Sequence, residues 1–140
     1  MSETGAQVHG VVFAHGRVAE ALVRAVEDIT GIRGALSPLS NEQIAPEVMG
    51  ERLLAAAGEG PTIIFTDLRS SSCSVVARRV ATASGRWAIV CGANLPMLLD
   101  FVFHRELGLE ELVSRLVERG KEGVMAVLEP EARGDRTDPR

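Results

Sequence analysis

Two residues far apart in the chain could act as one chemical group. His15 ends the apolar run Val11-Val12-Phe13-Ala14, and Asp67 ends Thr62-Ile63-Ile64-Phe65-Thr66. A carboxylate that accepts a hydrogen bond from one imidazole nitrogen fixes the tautomer and leaves the other nitrogen as nucleophile or base. Each residue is followed by a turn and a helical pattern: Gly16-Arg17 after the histidine, and Ser70-Ser71-Ser72-Cys73-Ser74 after the aspartate. Helix N-termini carry free N–H groups and a positive dipole end, both of which favour an anion, and Gly16 belongs to one of them. Nucleophilic imidazole, orienting carboxylate and anion-binding amides together suit phosphoryl transfer to the histidine itself. Taken alone, the spacing leaves open a core histidine satisfied by a carbonyl, and a helix-capping aspartate.

These residues are positioned by alternating strand and helix patterns. Val8–Ala14 and Pro61–Asp67 read as strands, as does "RWAIVCG"; "IRGALSPL", broken by Gly34 and Pro38, suits a sheet edge. Val18, Ala21, Leu22, Ala25, Val26 and Ile29 recur at three- and four-residue steps and predict a helix stopped at Gly31. Ser40 and Asn41 read as caps of a second helix, with Pro46 near its start and Leu53, Leu54 and Ala57 on one face. The serine cluster reads as a turn plus N-cap for a third helix. "ANLPMLLDFVFHREL" and "GLEELVSRLVERGKEGVMAVL" predict two more, with "VMAVL" as a last turn or short strand. The polar tail, 129–140, predicts disorder, and residues 1–128 one domain.

Strands alternating with helices predict a doubly wound α/β fold with a parallel sheet, strand order 2-1-3-4 and helices on both faces. Ligands of such sheets bind at the switch point, beyond the carboxyl ends of the strands. His15 ends strand one and Asp67 ends strand three, so that order makes them neighbours.

Composition narrows the class further. The 140 residues carry 15 basic and 19 acidic side chains, a net charge of −4, which lacks the basic footprint of a nucleic-acid binder. No apolar run approaches the ~18–20 residues that span a bilayer, so no membrane insertion is expected. Cys73 and Cys91 stand in no metal-type spacing and fit reduced thiols in a cytoplasmic protein. Neither G-x-x-x-x-G-K-[ST] nor G-x-G-x-x-G after a strand occurs, so the donor would be another protein or a small phosphate, with no cofactor or metal.

At this point "VVFAHG", "IIFTDLRSSS", "CGANLPMLLD" and "GKEGVMAVL", in register over roughly residues 8–128, resemble the IIA component of the mannose-type sugar phosphotransferase system. The resemblance implies a cytoplasmic homodimer whose histidine accepts a phosphoryl group from the phosphocarrier HPr and passes it to a IIB component. It makes His15 the phosphorylated residue, Asp67 its orienting carboxylate and Ser72 a phosphoryl contact. It also implies a C-terminal strand, here "GVMAVL", added to the partner subunit's sheet. The family's Gly-Gly-Ser/Thr-Pro loop is replaced by Ser70-Ser71-Ser72-Cys73. Serine lacks glycine's backbone freedom, but the Ser71 and Ser72 hydroxyls can donate to phosphate, and the Arg69 guanidinium can pair with it. The altered loop leaves two alternatives: a regulatory domain controlled by phosphorylation of His15, and the IIA-like subunit of a dihydroxyacetone kinase system.

Other chemistry-bearing residues read as structural. Cys73 stands near a helix N-terminus, where a thiol pKa can fall; Cys91 reads as strand core. His9 opens the first strand, far from the site, and His104 reads as helix surface. Asn94 and Pro96 shape the loop at the sheet's carboxyl edge. Met97, Leu98, Leu99, Phe101 and Phe103 read as core or dimer surface.

Overall fold

Two strands buried on both faces form the centre: β1 (His9–Ala14) and β3 (Thr62–Thr66). Inner strands of a parallel sheet covered by helices read as continuous apolar runs for this reason. β2 (Leu36–Ser40) and β4 (Trp87–Cys91) flank them in the order β2-β1-β3-β4, all parallel, as the alternation of patterns predicts. The structure, a computed structural model, describes residues 7–128; the tail 129–140 lies outside the described residues.

Successive side chains of a strand point to opposite faces. Val12, Ala14, Ile63, Phe65 and Val90 pack beneath α1 (Val18–Thr30), α4 (Leu95–Val102) and α5 (Leu109–Glu122). Val11, Phe13, Ile64 and Ile89 pack beneath α2 (Pro46–Ala57) and α3 (Ser72–Ser84). Gly10 interrupts β1 because a Cβ there would stand 2.6 Å from Leu36 Cδ2 and 2.8 Å from Phe101 Cε2. The Phe101 ring fills that space and meets Phe65 edge-on, with centroids 5.3 Å apart.

Local signals set most boundaries. Gly31, left-handed, closes α1 with its N–H on the Glu27 carbonyl, and Pro46 opens α2. Several expectations are corrected. The buried face of α1 is Ala19, Val23 and Val26, whereas Val18 and Ile29 are exposed. In α2, Leu53 and Ala57 are buried with Met49, and Leu54 faces out. α4 ends at Val102, so His104 lies in the turn beyond it, its ring bonded to the Asp100 carbonyl. Cys91 ends β4, the edge strand, and is only half-buried. Residues 124–128 form neither a helical turn nor a strand.

β1 leaves the sheet into α1 on one face, and β3 leaves into α3 on the other. The crevice between those exits holds the site.

Candidate functional site

Phe13 pairs with Thr66 across β1 and β3, so the two chains reach the carboxyl edge side by side. His15 follows β1 directly after Ala14, and Asp67 follows β3. Asp67 Oδ2 accepts two hydrogen bonds from His15, one from the backbone N–H at 3.0 Å and one from Nδ1 at 2.9 Å. An ionised carboxylate only accepts, so Nδ1 carries the ring proton and Nε2 keeps its lone pair. Nε2 has no partner among the described residues.

The charge of Asp67 is set by opposing effects. Burial raises its pKa, but the backbone N–H, ring N–H and charge of His15 outweigh it, and the carboxyl lies below its ordinary value of 3.8. The second oxygen, Oδ1, is buried without a hydrogen-bond partner among the described residues. The whole interaction therefore runs through Oδ2. The imidazole is 39% exposed and Asp67 17%, so the carboxylate is sheltered and the ring is within reach of another macromolecule.

The turn that presents the ring is braced from β2. Gly16 has φ +55°, a region that costs other residues energy, although a Cβ there would touch nothing within 4 Å. Its N–H donates to Asn41 Oδ1 at 3.1 Å, and its carbonyl accepts from the Ser40 hydroxyl at 2.7 Å. The Asn41 N–H donates to the Ala14 carbonyl. Ser40 and Asn41 are thus not helix caps: Ala45 caps α2, and these two residues hold the histidine turn. The sequence carried the signal, since Ser40 ends β2 and Asn41 follows it, at the same sheet edge as His15.

The serine loop divides its labour. Ser71 is the N-cap of α3, its hydroxyl accepting from the Ser74 N–H at 3.2 Å and donating to the Leu68 carbonyl at 3.3 Å. Both roles of that hydroxyl are occupied within the loop, as the Gly16 N–H is by Asn41. The Ser74 hydroxyl ties back to the Arg69 carbonyl at 2.7 Å. Ser72, the first helical residue, and Arg69 are exposed. The amides of Ser72 and Cys73 precede the first intrahelical bond and point out of the helix end. Cys73 itself is buried, and burial together with the Asp67 charge pushes its thiol up to about 11, opposite to the shift expected at a helix N-terminus. Asn94 caps α4 through the Met97 N–H and donates to the Gly120 carbonyl, so it joins α4 to α5. Among the described residues no helix is long and apolar enough to cross a membrane.

Comparison with known proteins gives a consistent result. The family model described as "PTS system fructose IIA component" matches residues 10–117. The mannose-specific EIIAB component of the PTS from Escherichia coli strain K12 is 26% identical over 124 residues, 84% of this chain. The chain spans 38% of that relative's length. Among solved structures, the EIIA component of the phosphotransferase system from Streptococcus agalactiae superposes with a TM-score of 0.79 at 18% identity, covering 85% of this chain and 96% of that one. The mannose/sorbose specific IIA subunit from Enterococcus faecalis gives 0.78 at 23% identity, covering 91% of this chain and all of the other. At those identities the superpositions establish the fold.

Proposed function

The chain belongs to the PTS fructose IIA component family, and from that premise we propose that it carries a phosphoryl group on Nε2 of His15. An HPr-like phosphocarrier supplies the group and a IIB component receives it, in the cytoplasm, as one step of sugar uptake. The observation that carries this reading is the paired bond from His15 to Asp67 Oδ2, which places the ring proton on Nδ1.

In the step, the Nε2 lone pair attacks phosphorus. An Nε2–P bond forms, the donor's bond to phosphorus breaks, and its electron pair leaves with the donor. The ring becomes more cationic, and the Asp67 carboxylate offsets that charge through Nδ1–H. The outward amides of Ser72 and Cys73, the Ser72 hydroxyl and the Arg69 guanidinium, in the loop and helix end that follow Asp67, receive the phosphoryl oxygens in this reading. Transfer to the acceptor is the reverse, with the acceptor's nucleophile attacking and Nε2 regaining its lone pair. No cofactor or metal enters this scheme.

A homodimer is part of the proposal. β4 is the sheet edge beside α5, and Val124, Met125, Val127 and Leu128, which follow that helix, are each more than 70% exposed. Pairing such a segment with a second copy's sheet edge would remove both liabilities.

Incubation with phosphoenolpyruvate, enzyme I and HPr tests the assignment. An acid-labile, base-stable adduct is expected on His15 and absent from His15→Ala of unchanged circular dichroism. Equal labelling of that variant would place the phosphoryl group elsewhere.

A further inference from the structure

Far from His15, a second imidazole is bonded to a hydroxyl. His9 Nε2 lies 3.0 Å from Ser37 Oγ, and both residues are half-buried. His9 opens β1 and Ser37 stands second in β2, so the pair sits at the amino edge of the sheet, about 20 Å from His15 along β1. Both side chains lie on the face that α2 covers: His9 alternates with Val11, and Ser37 pairs with Val11. The His9 ring also bonds to the carbonyl of Ala56, near the end of α2. A carbonyl only accepts, so the ring nitrogen facing it carries the proton. With Nε2 at Ser37, that nitrogen is Nδ1, and Nε2 turns a lone pair toward the hydroxyl.

The backbone holds the pair in place. The His9 N–H donates to the Pro61 carbonyl at 3.0 Å, and Ser37 is fixed in the β1–β2 ladder. Burial and the charge of Arg105 hold the imidazole below its ordinary value of 6.5, so it is a neutral base at pH 7. Arg105 lies at the same edge, its Nε donating to the carbonyl of Val8, the residue before His9, at 2.8 Å. Its Nη groups have no partner among the described residues. A hydroxyl within reach of a neutral imidazole, itself oriented by a third group, is the arrangement that activates a serine nucleophile.

We propose that Ser37 and His9 form a second reactive site, which takes an acyl group onto Ser37 Oγ from small acyl phosphates. In the step, Oγ attacks the acyl carbon as its proton passes to Nε2. The Oγ–C bond forms, and the bond from that carbon to the phosphate oxygen breaks. Its electron pair leaves with phosphate, which then takes the proton from Nε2. The products are a serine ester and inorganic phosphate. Ser37 belongs to an edge strand and is reached from outside the sheet. The Arg105 guanidinium supplies a cation at that edge for the anionic leaving group. This chemistry is independent of the phosphoryl transfer at His15.

The test incubates the whole chain with acetyl phosphate near neutral pH and locates acetyl groups by peptide mass spectrometry, with the exposed Ser70 as internal reference. Ser37 is expected to acetylate about 100-fold faster than Ser70, the low end of what a positioned base contributes. His9→Gln keeps a hydrogen-bonding partner for Ser37 but cannot take its proton, and should lose that advantage. Ser37→Ala should lose the adduct, and both variants should keep phosphoryl uptake at His15. In the wild type the rate at Ser37 should fall as pH drops beneath 6.5 and His9 becomes charged. This profile needs no variant, so it decides even where His9→Gln fails to fold. Acetylation of Ser37 no faster than of Ser70, an equal rate in His9→Gln, or a rate indifferent to pH in that window overturns the proposal.

Discussion

Replacing Asp67 by asparagine removes one charge at nearly constant shape, setting an amide NH2 where Oδ1 is buried without a partner among the described residues. An amide could turn its NH2 toward Nδ1 and force the ring proton onto Nε2, which would block the nucleophile. The structure opposes that rotation, because the His15 backbone N–H points at the same oxygen, 3.0 Å away. Only an oxygen there satisfies both donors, so the Asp67→Asn variant keeps Nδ1–H and loses the carboxylate's attraction for the ring as it becomes cationic. Opposite unit charges at ~4 Å interact by about 4 kcal/mol at an effective dielectric constant of ~20. The ring is 39% exposed, and solvent screening reduces the effect to about 2 kcal/mol. Phosphoryl uptake from phosphoramidate should therefore slow about 30-fold. The assay is single-turnover labelling, with 15N spectra of the imidazole to locate the proton. A rate within about twofold of wild type would refute the electrostatic argument. A loss of about 10,000-fold with the proton found on Nε2 would refute the tautomer argument.

Other expectations follow from the same geometry. Asn41→Ala removes the acceptor for the Gly16 N–H and should cost about 1 kcal/mol in denaturant unfolding while slowing transfer at His15; transfer at the wild-type rate would show that the turn needs no brace. Gly10→Ala forces a methyl group against Leu36 and Phe101 and should cost about 1–3 kcal/mol by the same measurement, with labelling of His15 retained. His9 is held below its ordinary value of 6.5 by burial and by Arg105, partly countered by the Ala56 carbonyl, and its Nε2 lies 3.0 Å from the Ser37 hydroxyl. Its folded pKa is the lower one, so its contribution to stability is complete above pH 6.5 and is lost as pH falls through the window beneath. Unfolding free energies across that window should fall less steeply for His9→Gln than for wild type.

What could be read from the chain, and what could not, follows from how far each signal reaches. The sheet order came from the alternation of periods and the handedness of crossovers, and that order put His15 and Asp67 at one edge. The same reasoning reached Ser40 and Asn41 only as helix caps, because the cap preference of these residue types is local and their contact with Gly16 crosses from β2 to β1. In α1, six apolar residues share a helical period, but the sheet beneath accepts one narrow stripe. Ala19 is buried in preference to Val18 because its position faces β1 and β2, whatever its size. Cys73 shows a competition between two local effects: the helix end favours a thiolate, yet burial and the charge of Asp67 prevail. The serine loop was legible as a cap, and the structure assigns that task to Ser71, leaving Ser72 outward.

The two margins of the sheet are chemically unequal. The Gly10 N–H bonds to the Ala35 carbonyl and the Asn41 N–H to the Ala14 carbonyl, so odd-numbered residues of the β2 segment face β1 and even-numbered ones face away. Pro38 is among the latter and offers no N–H to a newcomer. The β2 margin is thus one donor poorer for an added strand, and the β4 margin lacks no such donor. A protein with a single receptive margin closes after one pairing, two copies satisfying each other by a twofold axis, whereas two receptive margins would permit an endless fibre. One proline withholds from the β2 margin a donor that any added strand would need.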